Sequence, residues 1–324
     1  MTNEVTQKLP FARATGATAA ADEETIGRQT HKTRSPWQAA WRQFRRHRLA
    51  MVGALALLAI IASAIVGPLL YSTPYNKVDF AVASQAPSWT YPFGTNDLGQ
   101  DLLARVLWGG RISVAVSVVA MLVAITLGTL VGALAGFFGG SLDLFLMRVT
   151  DIFLSLPQLP LLLLIIYLFR EPITNLVGPE LGIFALIVLI IGGLNWMSVA
   201  RLVRANFLVL REAEFITAAH AVGVPQRRLI LRHLLPNTLG PVIVAATLAV
   251  GSAIITESSL SFLGLGFPPD TPTWGRMLFE AQNFVEFTPS MALFPGLFIF
   301  VTVLSINYIG DGLRDALDPQ LRSR

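Results

Sequence analysis

Residues 112–142 read ISVAVSVVAMLVAITLGTLVGALAGFFGGSL, 31 positions between Arg111 and Asp143 without one ionisable side chain. A helix rises about 1.5 Å per residue, so roughly 20 apolar residues cross the ~30 Å hydrocarbon core of a bilayer. This stretch is long enough and apolar enough to do so. Within it Gly128, Gly132 and Gly136 recur every fourth residue and run on into Gly139 and Gly140. Such a stripe of small residues is the pattern that lets two helix backbones approach closely in lipid. Its reading is helix packing and carries no claim about a solute.

Working outward, the same kind of gap recurs. Arg48 to Lys77 leaves 28 uncharged positions, Asp151 to Arg170 leaves 18, Glu180 to Arg201 leaves 20, His233 to Glu257 leaves 23 and Glu286 to Asp311 leaves 24. The chain of 324 residues is 53% hydrophobic and only 14% charged, against about 25% charged in an ordinary soluble domain. Such a chain cannot wet its own surface, which excludes a soluble globular enzyme, and it is too apolar to stay unfolded. The fold class that follows is an all-α integral membrane protein with six transmembrane helices. Their expected spans are 49–71, 112–137, 143–169, 182–203, 238–261 and 291–310. The third carries Arg148 and Asp151 near one end and Pro157 and Pro160 inside. Proline is tolerated in membrane helices where neighbours re-satisfy the freed carbonyl.

Orientation follows from Lys and Arg in the connections. Residues 1–48 hold nine, the 204–237 segment five, 72–111 three, and 170–181 and 262–290 one each. The two basic segments lie on one side in a six-span chain, so both termini are expected in the cytoplasm. Residues 1–35 read as a disordered cytoplasmic tail, without the apolar core of a cleavable signal peptide. Ser35 and Pro36 open a helix over 36–48. Trp37, Trp41, Phe44 and Arg48 share one face of it, with Arg42, Arg45, Arg46 and His47 around the rest, as in an amphipathic helix lying on an anionic lipid leaflet. Residues 72–111 form an extracytoplasmic loop rich in turn formers. A five-helix core over 112–310 and a cytoplasmic tail over 311–324 complete the chain.

The 204–237 segment is the most informative connection. Phe215, Ala218, Ala219 and Val222 fall at i, i+3, i+4 and i+7, an apolar stripe on a short helix. Gly223 suits its C-terminal cap. Pro225 starts a second helix bearing Arg227, Arg228 and Arg232, which Pro236 closes. The unit is an inert connection, a DNA-binding helix-turn-helix or a docking element for a cytoplasmic partner. Tethering to the membrane at both ends argues against nucleic acid. Thirty ordered residues, where most connections need about 2–6, argue against an inert loop.

Catalytic chemistry is hard to place. All four histidines, His31, His47, His220 and His233, fall outside the spans, so no intramembrane base or metal ligand of that kind exists. There is no cysteine, hence no disulfide, thiolate metal site or thiol nucleophile. Glu257 lies about 20 residues into the fifth span, or ~30 Å along it, which places a lone carboxylate at the outer boundary. Lysines occur only at 8, 32 and 77, and none stands in the Gly-x-x-x-x-Gly-Lys-Ser/Thr context that cradles nucleotide phosphates. Energy for uphill transport must therefore come from elsewhere. The spans offer almost no ionisable group through which an ion gradient could act, which favours a separate subunit acting on the cytoplasmic segment. A stand-alone gradient-driven carrier or channel is the competing class, separated by co-purification of ATPase subunits.

Thr217-Ala218-Ala219 with Gly223 and, thirteen residues after it, Pro236 resemble the cytoplasmic signature of permeases in importers of the ATP-binding-cassette class. Glu214 to Gly223 with Arg232 to Asn237 are similar to the dipeptide/oligopeptide/nickel branch. So are Phe93-Gly94-Thr95-Asn96-Asp97 with Asp101, Glu257 to Gly264, Pro272-Thr273-Trp274-Gly275, and Gly310 to Pro319. Within that branch the match is to the C-type permease, over residues 36–320. The signature's first position, usually Glu, is Thr217 here, with Glu214 one turn earlier.

The resemblance implies a type I importer permease in a bacterial or archaeal cytoplasmic membrane. It implies a second homologous permease subunit, two cytoplasmic ATPases that bind ATP and Mg, and an extracytoplasmic substrate-binding protein as partners, with lipid around them. The chain itself would be no enzyme and hold no cofactor or metal. Glu214, Phe215, Thr217, Ala218, Ala219, Gly223, Arg227 and Pro236 would couple to the ATPases. Asp97, Asp101, Glu257 and Trp274 would serve binding-protein docking or a gate. The cargo would be di- or oligopeptides, with nickel or another small solute as the alternative.

Overall fold

A computed structural model describes residues 36–317; the 1–35 tail and residues 318–324 lie outside the described residues. The chain divides into two units between Ala39 and Ala40. Of the first unit only the helical residues 36–39 are described, and every contact below lies within the second.

The helices are α1 (Pro36–Arg46), α2 (Arg48–Leu70), α3 (Leu102–Phe138), α4 (Gly140–Ser155), α5 (Gln158–Val177) and α6 (Pro179–Arg211). They continue as α7 (Glu214–Ala221), α8 (Gln226–Phe262), α9 (Trp274–Ala281) and α10 (Ser290–Leu317). A short 3-10 turn covers Phe80–Val82. Six of these, α2, α3, α5, α6, α8 and α10, are long and apolar enough to cross a membrane. The ends are set by local chemistry. His47 Nδ1 accepts from Ala50 N at 3.1 Å to start α2, and Asp101 Oδ1 accepts from Ala104 N at 3.0 Å to start α3. Gly139 at φ +65° and Gly178 at φ +89° take left-handed conformations that end α3 and α5, where a side chain would add strain.

Several boundaries differ from those read in the sequence. The third span is not one helix over 143–169: the chain breaks at Leu156 and Pro157 into α4 and α5, of which α5 is the one long and apolar enough to cross a membrane. Pro157 biases Leu156 to an extended backbone, and Leu156 sits at ψ 136°. The 72–111 loop is shorter, because Asp101 caps α3 ten residues before Arg111. The sixth helix does not stop at 310 but runs to Leu317. Pro236 closes nothing. A π-helical turn over Ile230–Leu234 carries the ladder past it, with Leu235 N bonding back to Ile230 O, so α8 is continuous from Gln226. The extra residue in that turn accommodates a proline that has no N–H to donate.

The amphipathic helix of 36–48 ends at Arg46. Its Phe44 and Ala40 are buried with Ala50 and Ala316, while Trp41 stacks on Phe44 and stays 60% exposed. Part of its apolar face is thus covered by protein rather than lipid. The side chain of Trp37 lies outside what is described.

The register of the core is legible from the glycines. A Cβ on Gly128 would strike Val199 and Trp196 O, one on Gly132 would strike Ala200 O and Val203, and one on Gly136 would strike Phe207 and Arg204 O. Gly192 meets Val123 and Ala120 O from the other side. Both numbers rise together, so α3 and α6 run parallel and in near backbone contact. α10 runs antiparallel to its neighbours: Gly312 packs on Ala50 and Gly53 on Ser305 of α10, while Gly310 packs on Leu248 and Gly251 on Ile306. In lipid such packing stabilises by close van der Waals contact rather than by removal of apolar surface from water. The antiparallel pairs place the start of α2 and the end of α10 at the end of the bundle where α7 lies. The start of α3, the end of α8 and α9 form the opposite end.

Candidate functional site

The connection between α6 and α8 is a short helix standing off the bundle. α7 is anchored by Ile216, which is buried with Phe207, Leu234 and Val242. The stripe of Phe215, Ala218 and Val222 faces away from the bundle: Phe215 is 48% and Val222 85% exposed, Ala218 is exposed and Ala219 half-buried. Ile216 is adjacent to Phe215 in sequence and about 100° round the helix, and the apolar periodicity did not single it out as the anchor. The helix closes as the sequence suggested. Gly223 sits at φ +84°, its N–H donating to His220 O at 2.9 Å, while Val224 N donates to Ala219 O at 3.1 Å. Glu214, Thr217, Arg227 and Pro236 are also exposed, so seven of the eight residues singled out here reach solvent and Ala219 does so in part.

Charges fix the helices beneath α7. Arg204 forks onto Asp143 of α4, Nε to Oδ1 at 2.5 Å and Nη2 to Oδ2 at 2.6 Å. Arg201 pairs with Asp151 at 2.5 Å, and Arg211 donates to Phe137 O at 3.3 Å. Arg204 and Arg211, counted in the sequence with a loop, therefore belong to α6. A bidentate guanidinium–carboxylate pair fixes orientation as well as distance, so α4 is held to the helix that enters α7.

At the opposite end the loop after α2 folds over the bundle as an ordered cap. Thr95, Asn96, Gln100 and Asp101 are buried. Asn96 Nδ2 donates to Gln100 Oε1 at 2.8 Å, and Arg105 Nη1 donates to the same oxygen at 2.5 Å. Arg105 also pairs with Glu280 of α9 at 2.8 Å, and Arg276 donates to Glu280 at 3.2 Å. Gly99, at φ +72°, lies so close to Asp79 O that no side chain fits. Glu257 is fully buried and accepts from Ser261 at 2.8 Å and Ser113 at 3.3 Å. Trp274, 0% exposed, donates its indole N–H to Val106 O at 3.0 Å, and its backbone N–H to Ser113 Oγ at 3.3 Å. Asp101, Glu257 and Trp274 thus join α3, α8 and α9 inside the chain; of the four residues assigned to docking or a gate, only Asp97 is part-exposed. Among the described residues no group of three or more His, Cys, Asp or Glu is placed to hold a metal.

Residues 128–323 match the family described as the inner membrane component of binding-protein-dependent transport systems. The chain belongs to that family. Residues 35–87 of this permease match a second family, the N-terminal transmembrane domain of oligopeptide transport permease C. The permease is 40% identical over 289 residues to the dipeptide transport system permease protein DppC of Alkalihalophilus pseudofirmus, covering 89% of this chain and 91% of that protein. It is 39% identical over 294 residues to the glutathione transport system permease protein GsiD of Escherichia coli, covering 90% and 93%. A solved inward-facing structure of the MetNI methionine ABC transporter superposes with a TM-score of 0.51 at 19% identity, over 67% of this chain and 96% of that one. That likeness concerns the fold, which is the six-span fold of a type I ATP-binding-cassette permease. The chain is a multi-pass inner-membrane permease of an importer of this class.

Proposed function

We propose that the chain forms half of the translocation path of a peptide importer and couples it to cytoplasmic ATPases through α7. The observation that carries the coupling is the outward-facing stripe. Ile216 holds α7 to the bundle, while Phe215, Ala218 and Val222 present an apolar face that stays open among the described residues. An apolar ridge with two alanines fits a partner's cleft closely. Closure of the ATPases would move α7 as a lever, and α6 with α4 would follow through Asp143–Arg204. ATP and Mg would be bound by those partners, a second homologous permease would complete the path, and an extracytoplasmic binding protein would deliver the cargo. In this reading α7 and both termini face the cytoplasm, and docking falls to cap residues such as the part-exposed Asp97 and the exposed Phe80 and Trp89. Peptide cargo is favoured over nickel by the cargoes for which two relatives are named, dipeptides and glutathione, which are both short peptides.

Ala218→Trp tests the coupling. Overpacking an interface costs typically about 1–3 kcal/mol, and about 1.4 kcal/mol is tenfold in association. The variant should insert normally, and the complex should lose bound ATPase and uptake together. Full ATPase retention with full uptake would make α7 a plain connection.

A further inference from the structure

We infer that a groove at the break between α4 and α5 is a solute-contact subsite on the translocation path, selective for the uncharged backbone amide of a peptide; this rests on the peptide-importer reading above. The groove encloses a cavity of about 110 Å³. Gln158, Asn195 and Ser198 supply its polar groups, and Phe153, Leu161 and Leu194 are among its apolar walls.

Their placement on the long apolar helices makes these three residues unusual. Asn195 is the central residue of α6, with sixteen helical residues on either side. Ser198 follows one turn later on the same face, and Gln158 opens α5 across the groove. Asn195 is half-exposed, while Gln158 and Ser198 are exposed. Asn195 donates one amide hydrogen to Ile191 O at 2.7 Å. Among the described residues its carbonyl oxygen and second hydrogen, and the side chains of Gln158 and Ser198, have no hydrogen-bond partner. Polar side chains left open to hydrocarbon without a hydrogen-bond partner are disfavoured. They are tolerated where they face protein or a water-filled cavity. Leu156 and Pro157 supply the opening, because the break in the helix parts α4 from α5 at this level.

The chemistry of the lining selects the ligand. Two carboxamides and a hydroxyl both donate and accept, which matches the N–H and C=O of a peptide bond. None of the lining residues is charged, so a peptide's terminal charges or a bare cation would find no counterion here. The aromatic and leucine walls suit apolar side chains of varied size, as a path without narrow sequence preference requires.

The chain contains no cysteine, so single-cysteine variants report cleanly. Asn195→Cys and Ser198→Cys are placed in the complete complex, with partner permease, ATPases and binding protein, in liposomes under turnover. A charged, membrane-impermeant thiol reagent is applied, and its adduct is read by mass on this chain. Leu189→Cys is the control, since Leu189 is 58% exposed and nine residues from Ser198, half a turn round the helix. Both groove positions should label at least tenfold faster than the control, and a dipeptide-loaded binding protein should slow them. Asn195→Leu should lower dipeptide uptake at least tenfold with the ATPases still co-purifying, and Asn195→Gln should recover most of it. Labelling no faster than at Leu189 would overturn the groove as part of the path. Rapid labelling without protection, in a complex that imports the dipeptide, would overturn the subsite. A wild-type complex that imports another solute but no peptide would overturn the proposed cargo instead, while the labelling ratio still decides whether the groove lies on the path.

Discussion

Tyr71 follows the last residue of α2 and reaches thirty positions along the chain, its phenol donating to Asp101 Oδ2 at 2.6 Å. Asp101 uses its other oxygen to cap α3, so one carboxylate ties the end of one span to the start of the next. Burial, then the hydrogen bond and charge of Asp101, push the Tyr71 phenol from 10.0 to about 12. The folded state therefore holds this proton more tightly than the unfolded chain does. Its contribution to stability is whole below a pH of about 10 and is lost as pH rises from about 10 to about 12. Tyr71→Phe should show a shallower alkaline fall in thermal midpoint over that window than the wild type. Asp101→Ala should lose the cap as well, about 1 kcal/mol at neutral pH, read by thermal unfolding in detergent. An identical alkaline slope in Tyr71→Phe would mean the phenol is not held this way. The sequence singled out Asp101 from its turn-rich surroundings, but no local pattern distinguishes a buried cap from a docking residue, because the distinction rests on Tyr71 and on the cap folded over it.

Pro68 shows the same dependence between elements. It lies inside α2 and has no N–H for the carbonyl of Ala64. Arg111 of α3 supplies the missing donor, its Nε reaching Ala64 O and its Nη2 reaching Ile65 O, both at 2.7 Å, with the guanidinium over Trp108. A hydrogen bond from a charged donor contributes about 1.5–3 kcal/mol, so Arg111→Ala should destabilise by about that much. In a Pro68→Ala background Ala64 O regains its helical partner, and the same substitution should cost markedly less. A double-mutant cycle on thermal or denaturant midpoints checks this, and strictly additive effects would mean that the two residues are unrelated. Charge gaps could not foresee the pairing, since they place Arg111 merely at the edge of a span. They also merged α4 with α5, because an uncharged stretch is silent about where it bends.

At the largest scale the second unit is a bundle with a polar cap at one end and α7 at the other. The orientation proposed from the loop charges puts the α7 end in the cytoplasm. Single cysteines at Ser88 and Gln226, both exposed, should therefore report opposite sides in intact cells, Ser88 outside and Gln226 inside, to an impermeant thiol reagent. Labelling of both from one side would break the six-span topology. The parallel contact of α3 and α6 is what gives this scale its rigidity. Their backbones approach closely from Gly192 to Phe207.

Six spans, their approximate limits and the likeness to importer permeases were determined by sequence alone, because hydrophobic length and the spacing of charges are local properties of the chain. The glycine spacing also foretold that α3 would pack closely on something. Only the tertiary structure decided that the partner is α6 and runs parallel, that Pro157 breaks a helix while Pro236 does not, and that Ile216 rather than Phe215 anchors α7. Each of these turns on which carbonyl, side chain or backbone from a distant segment fills the neighbouring space. A proline is a break or a passing irregularity according to whether a π turn can re-satisfy the ladder around it, and a face of a short helix is core or surface according to what packs beneath it.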